Sequence, residues 1–449
     1  MKSLKLLTAL LIIPAALWAE EISVTVYNNN LGVISEKRIL KFEKGTGSIP
    51  FRDVPSLIDA NSVGFTVEGK RNISILEQNY AYDLVSPEKM YQKYIDKEIE
   101  LIDKEGKLYS GTLLAFSGGA VTIKENSGRI KIVLLTQVTE VNFPSLPDGL
   151  ITRPTLFWKY SSDFSGDVNC EVGYQTSGIG WSAEYVGLLD SKETQLDLSG
   201  WAAIDNQSGK TYQDATLKLI AGDIHRAQQP GYPYAQSDML RTMEKGEASG
   251  FQEKAFFEYH LYTLPRKATV ADRETKQISL FEPAHAKVTK IFRYKPDFSP
   301  KNVEVAIRFT NSKTTGLGMP LPAGRVRIFK ADDDGSRILL GEDRIEHTPK
   351  DEEMTLVVGN AFDIAAEERT MSQNRVTQTT EDRDMEIELR NRKETKITVE
   401  VSKQLYGFWE ILEANFEYKK KDASTLEFKI PVNANQTVVV KYKVRYTYR

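Results

Sequence analysis

Cysteine is almost absent, with one residue, Cys170, in 449. A single thiol cannot close an intramolecular disulfide, so the chain must stabilise itself by burying apolar surface. Cys170 lies in the alternating run Val168-Asn169-Cys170-Glu171-Val172-Gly173-Tyr174 and is expected to be a small buried hydrophobe. Histidine is scarce too. His225, His260, His285 and His347 show neither a two-His helical spacing nor a neighbouring cysteine, so no zinc pattern is present and no metal or other cofactor is expected. A basic excess is also lacking, because 59 Lys and Arg face 62 Asp and Glu. That balance offers no electrostatic footprint for nucleic acid or an anionic membrane. No Gly-x-Ser-x-Gly nucleophile elbow occurs.

One long apolar run exists, from Leu6 to Trp18, with Lys2 and Lys5 ahead of it and Ala19 before Glu20. This is the pattern of a cleavable secretory leader over residues 1–19, short for a bilayer span. An uncleaved N-terminal anchor is the competing reading. Without the two leader lysines, 57 basic residues stand against 62 acidic ones, a net charge of −5. The expectation is an exported, soluble mature chain starting near Glu20, with no transmembrane span once the leader is removed.

What is abundant is β-type patterning. Tyr (20) and Phe (19) are frequent, short alternating runs bounded by Gly, Asn, Asp or Pro recur, and helical periodicity is rare. The length implies about three domains. The expected fold is all-β and multi-domain, with Ig-like β-sandwich domains plus a small SH3/Sm-like barrel and one short connecting helix. The divisions read from the pattern are a β-sandwich over 20–85, a connecting helix over 86–96, a small barrel over 97–145, a central β-domain over 155–300 carrying a mobile insertion at 227–255, and a C-terminal sandwich over 301–449. The helix rests on Ser86-Pro87-Glu88, a capping residue, a first-turn proline and an acid at the positive end, with Met90, Tyr91, Tyr94 and Ile95 on one face. The barrel rests on short strands separated by EGK, SGG and NSG turns.

Several motifs imitate functional sites. Ser208-Gly209-Lys210-Thr211 resembles the end of a phosphate loop, but Ile204 stands where that loop needs glycine, so a turn between strands is expected. Asp332-Asp333-Asp334-Gly335 imitates a calcium loop, yet Lys330 and Gly341 occupy positions that require acids, so it reads as a hairpin turn. Sequons occur at Asn72, Asn206 and Asn435. Carboxylate pairs for glycoside hydrolysis are a property of the fold, and Asp205, Asp214 and Asp223 are the acids to inspect, with structural turn acids as the plainer reading. Trp158, Trp181, Trp201 and Trp409 are either core fillers or, through their flat faces, a carbohydrate platform. Trp201 points away from the face carrying Leu196, Leu198, Ala202 and Ile204, so it covers a second interface or is exposed. The candidate binding residues are therefore Trp181, Trp201, Asp205, Asp214, Asp223 and His225; no catalytic or metal residue is assigned.

The segments SGIGWSAEYVG at Ser177 to Gly187, GWAAIDNQSGKTYQDATLKLIAGDIHR at Gly200 to Arg226, RNRKETKITVEV and FWEIL resemble the bacterial family called domain of unknown function 4139, related to the mucoidy inhibitor A proteins. The resemblance covers about residues 155–449. It implies an exported envelope protein of β-sandwich architecture with no established reaction, and it supplies no catalytic residue. Two functions follow as expectations: a non-catalytic binding or scaffolding protein with an envelope protein or glycan as partner, or a hydrolase acting on envelope polysaccharide.

Overall fold

A computed structural model describes residues 21–69, 72–81, 87–145, 151, 153–222, 224, 251–257 and 259–448. The leader of residues 1–19 and most of the 227–255 insertion lie outside the described residues. Within them the chain is almost entirely β, with thirty strands, one α-helix and two 3-10 turns.

The N-terminal strands show why alternation makes a sheet here. In Glu21–Tyr27, Ile22, Val24 and Val26 face inward and are buried, while Ser23 and Thr25 face outward. This strand pairs antiparallel with Leu31–Phe42 and parallel with Tyr212–Ala221, so the start of the chain is stitched to a segment almost two hundred residues later. Leu31–Phe42 in turn pairs with Gly166–Thr176, and Ile58–Val67 follows it in the same eight-stranded sheet. The remaining early strands, Gly45–Arg52 and Ile73–Ala81, flank Thr155–Ser162 in a three-stranded sheet. The segment before residue 82 thus shares both of its sheets with strands from beyond residue 154.

The small barrel is an excursion between two paired strands, since Ala81 and Thr155 are register partners while residues 98–142 lie between them in sequence. Its five strands run in the order Val138–Asn142, Glu98–Asp103, Leu108–Ser117, Ala120–Lys124, Ile130–Leu134, around a core of its own that includes Leu101, Leu113, Val121 and Ile123. The helix Pro87–Lys93 docks on this module through Tyr91, whose ring stacks on Phe116 at 4.7 Å. Ile95, expected on the same face, falls beyond the last helical turn and is exposed.

A five-stranded sheet, ordered Glu274–Lys287, Gln195–Asn206, Ile179–Leu189, Gly324–Ala331, Arg337–Ile345, packs its inner face on the same core as the N-terminal strands. Trp158, Tyr174, Tyr185 and Tyr212 are among the largest side chains sealed inside. Nine strands, Thr289–Tyr294, Asn302–Thr310 and the seven from Glu353–Arg375 onward, form one sheet whose two end strands, Phe408–Ala414 and Tyr418–Lys420, are consecutive in the chain. The sheet therefore folds over on itself and closes a second core around Tyr294, Ile387, Val399, Phe428 and Val440. The 23-residue strand Glu353–Arg375 joins the two halves, giving Met354 and Leu356 to the central core and Ile364 and Ala366 to the C-terminal one.

Three fully buried asparagines repeat one device, each at or just after the end of a strand. The side-chain amide of Asn206 donates to the carbonyls of Lys210, Val270 and Ala271, that of Asn311 to Met319 and Pro349, and that of Asn391 to Thr395, Val432 and Asn433. Each one satisfies loop carbonyls that would otherwise be stranded without water. Asn206 is sealed from solvent, so the sequon at that position is unusable in the folded chain.

Candidate functional site

The strands Ile179–Leu189 and Gln195–Asn206 carry the sequence motifs singled out above, and their alternation splits them cleanly. Ile179, Trp181, Ala183 and Tyr185 point into the core together with Leu198, Ala202 and Ile204. Ser182 and Glu184 on one strand, and Trp201, Ala203 and Asp205 on the other, point outward. Register places Glu184 opposite Trp201, Ser182 opposite Ala203 and Gly180 opposite Asp205. On the far side of the central strand, Ser279, Gln277 and Thr275 face the same three residues. The result is a polar end of the sheet face with one large aromatic side chain, Trp201, which is 39% exposed; further along the same face Val186, Leu188 and Phe329 are half-buried and Leu339 is exposed.

At one end of this face the turn after Glu21–Tyr27 leans over the sheet and makes a groove of about 360 Å³. Asn28, Asn30, Ser182, Ala203, Asp205 and Gln207 line it, over the backbone of Gly178 and Gly180. Asn30 can sit in this turn because asparagine tolerates its left-handed conformation, φ 50°. Its Oδ1 accepts the Gly178 amide at 2.8 Å, tying the turn to the sheet. Asn28 donates its side-chain N–H to the Trp181 carbonyl at 3.1 Å, while its Oδ1 is buried and has no hydrogen-bond partner. Asp205 receives Gln207 at 3.3 Å and Thr275 at 3.1 Å.

Beside Trp201 the charges are already paired. Glu184 accepts Arg325 through two guanidinium nitrogens, at 3.1 and 3.2 Å, and Arg327 at 2.9 Å; Arg327 also reaches Glu342 at 2.9 Å. The face therefore presents hydrogen-bonding groups and an aromatic ring with its local cations already engaged.

A buried ionic cluster ties the strand Leu31–Phe42 to the Ser208–Thr211 turn. Lys210 pairs with Glu36, which is fully buried and also receives Arg38, at 2.8 Å from its Nε, and the Tyr174 hydroxyl. Burial acts to raise the Glu36 carboxyl, but the charges of Lys210 and Arg38 and the hydrogen bonds from Lys210 and Tyr174 outweigh it and hold the group below its ordinary range. Lys210, the apparent phosphate-loop lysine, is thus committed to an internal partner. Gly209 beside it takes φ 84° in a turn linking two sheets, and its amide donates to Asp272 at 2.8 Å.

The other candidates fall as follows. Trp181 is buried and donates its indole N–H to the Ile220 carbonyl at 2.9 Å, so it supports the groove from below. Asp214 lies in Tyr212–Ala221, a strand of the other sheet, exposed at φ 44° and away from the groove lining. Asp223 and His225 lie outside the described residues. Trp158 is buried, its N–H on Gln78 at 2.7 Å, and Trp409 packs on the C-terminal core. The Asp332–Gly335 stretch is the turn between Gly324–Ala331 and Arg337–Ile345, with Gly335 at φ 83°. Among the described residues no group of three or more His, Cys, Asp or Glu is placed to hold a metal ion. Asn28, Asn30, Ser182 and Gln207 were not among the sequence candidates; the Asn28-Asn29-Asn30 run marked a strand break, and nothing in it announced a partner 150 residues away.

No curated protein sequence matches the chain significantly. The sequence profile of one family, described as a domain of unknown function, does match, over residues 170–448, a stretch that contains Trp181, Trp201, Asp205 and Gln207 of the groove and its neighbouring face together with the whole C-terminal sheet. The chain belongs to the DUF4139 family.

Proposed function

We propose that this protein is an exported component of the bacterial cell envelope that works by binding, without catalysis, and that the outer face of the five-stranded sheet around Trp201 is its contact surface. The leader-like residues 1–19 support export, and the lack of any basic excess argues against nucleic acid as partner. The observation that carries the reading is the groove itself. Three segments remote in sequence, 28–30, 178–182 and 203–207, converge on it, and each is pinned to a sheet by backbone or side-chain hydrogen bonds. Such a preformed polar concavity beside an exposed aromatic ring is suited to holding a ligand.

Hydrolysis of an envelope polysaccharide is the less supported alternative. Paired carboxylates about 5–10 Å apart are needed for that chemistry. The groove contributes Asp205, while Glu184, the next acid on the face, is held by two guanidiniums. A photo-crosslinking residue at Ser182, compared with one at Ala115 on the barrel, tests the binding reading in the native envelope. A discrete adduct with an envelope component at position 182 alone is expected; identical patterns at both positions would overturn the assignment of this face. Export is checked by N-terminal sequencing of the protein from the periplasmic or surface fraction, with Glu20 expected first.

A further inference from the structure

The chemistry of the groove narrows its ligand. Trp201 is an exposed ring at the polar end of the face, with Glu184 and Ser279 opposite it on the two neighbouring strands. An apolar protein partner wants a contiguous apolar patch; the apolar row of this face, Val186, Leu188, Phe329 and Leu339, runs away from the groove, whereas the groove end pairs one ring with hydrogen-bonding groups and fits a ligand that alternates C–H faces with polar edges. The groove is lined by the hydrogen-bonding side chains Asn28, Asn30, Ser182, Asp205 and Gln207. Ligand hydroxyls, which both donate and accept, can meet amide, hydroxyl and carboxylate groups alike. An anionic ligand offers only acceptors at its charged groups, and it would meet the Asp205 carboxylate in the same groove. The cations beside Trp201, Arg325 and Arg327, are already engaged by Glu184, so they give an anion little. Trp201 and Asp205 lie four residues apart along one strand, on one face, a span of about 13 Å at ordinary strand rise.

From these observations, and resting on the assignment of this face as a binding surface, we infer that the ligand is an uncharged oligosaccharide. One ring of it stacks on the Trp201 indole, and hydroxyls further along are held by Asp205 and Gln207. The contact is reversible and breaks no bond.

The test uses the full mature chain with neutral linear oligosaccharides, maltohexaose, cellohexaose and laminarihexaose, and with an acidic one, oligogalacturonate. Binding is followed by tryptophan fluorescence and titration calorimetry. At least one neutral saccharide should bind, with Trp201→Ala and Asp205→Ala each weakening it by on the order of tenfold, the weight of one stacked ring or one buried hydrogen-bond set. Circular dichroism and melting temperature confirm that both variants fold. Binding of oligogalacturonate in preference to all neutral saccharides, neutral binding that survives both substitutions, or no binding of any neutral saccharide would each overturn the inference. If saccharides fail while the Ser182 crosslinker still yields its position-specific adduct, the ligand assignment falls and the binding surface stands; loss of both removes the surface as well.

Discussion

Replacing Glu36 by Gln tests the mortar between the N-terminal strands and the Ser208–Thr211 turn. The carboxylate is fully buried, and the side chains of Lys210 and Arg38 that face it are only 10% and 12% exposed. Removing the anion leaves two nearly buried cations with a neutral amide between them. Breaking a buried pair from one side costs about 3–5 kcal/mol, and the slight exposure of both cations places this case near the lower end. For a unit of this size about 3 kcal/mol corresponds to a fall of roughly 6–10 °C in the melting of the central core. The double substitution Glu36→Gln with Lys210→Met removes a stranded cation along with the anion. It should recover more than about 1 kcal/mol relative to additivity, because the residues touch. The same cluster fixes a pH response. Its carboxyl titrates below the ordinary 4.5 in the folded chain, so its stabilisation is present above that pH and is lost as the pH falls through the depressed native value. Wild type should therefore lose stability steeply below about pH 4.5, while Glu36→Gln is flatter there. Differential scanning calorimetry from pH 3 to 7 reads both effects. A Glu36→Gln melting point within about 1 °C of wild type at pH 7, or a double variant worse than the sum of the singles, would refute the reasoning.

Two further outcomes are expected. Asn391→Ala strands the carbonyls of Thr395, Val432 and Asn433 and the Lys393 amide, so it should destabilise the C-terminal sheet by about 2–4 kcal/mol while leaving the groove intact; amide exchange that stays unchanged in Ile397–Gln404 counts against this. Cys170 is 1% exposed and burial pushes its thiol up to about 11, so an aromatic disulfide reagent should leave it unmodified at pH 8 until denaturant is added, and rapid labelling of the native protein would show that the site opens.

Much of the fold was legible because a buried sheet face imposes a period of two. Val303, Val305, Ile307 and Phe309 alternate in sequence, and all but the half-buried Val305, which sits at a shift in register, lie inside; the outward direction of Trp201 followed from Leu198, Ala202 and Ile204 on the other face. The turn character of Ser208–Thr211 and Asp332–Gly335 was equally readable, since a missing glycine or acid excludes the ligand-binding alternatives. The groove was not readable. Asn28 and Asn30 look like any turn until the parallel pairing of Glu21–Tyr27 with Tyr212–Ala221 carries that turn over Gly178 and Gly180. Lys210 gave no sign of its partner, which lies on a strand more than 170 residues earlier, where Glu36 shares the buried face with Ile34 and Phe42.

By itself the sequence determined the all-β class, the presence of a small barrel pattern, the leader-like start and the membership of residues 170–448 in a family. These depend on local propensity and period, which neighbouring residues fix among themselves. Only the tertiary structure decided which strands pair, that the barrel is looped out between Ile73–Ala81 and Thr155–Ser162, and that Trp201, Asp205 and Asn28 share one surface. The physical reason is that backbone hydrogen bonds are indifferent to side-chain identity. Strand partners are therefore chosen by how whole apolar faces fit together across the core.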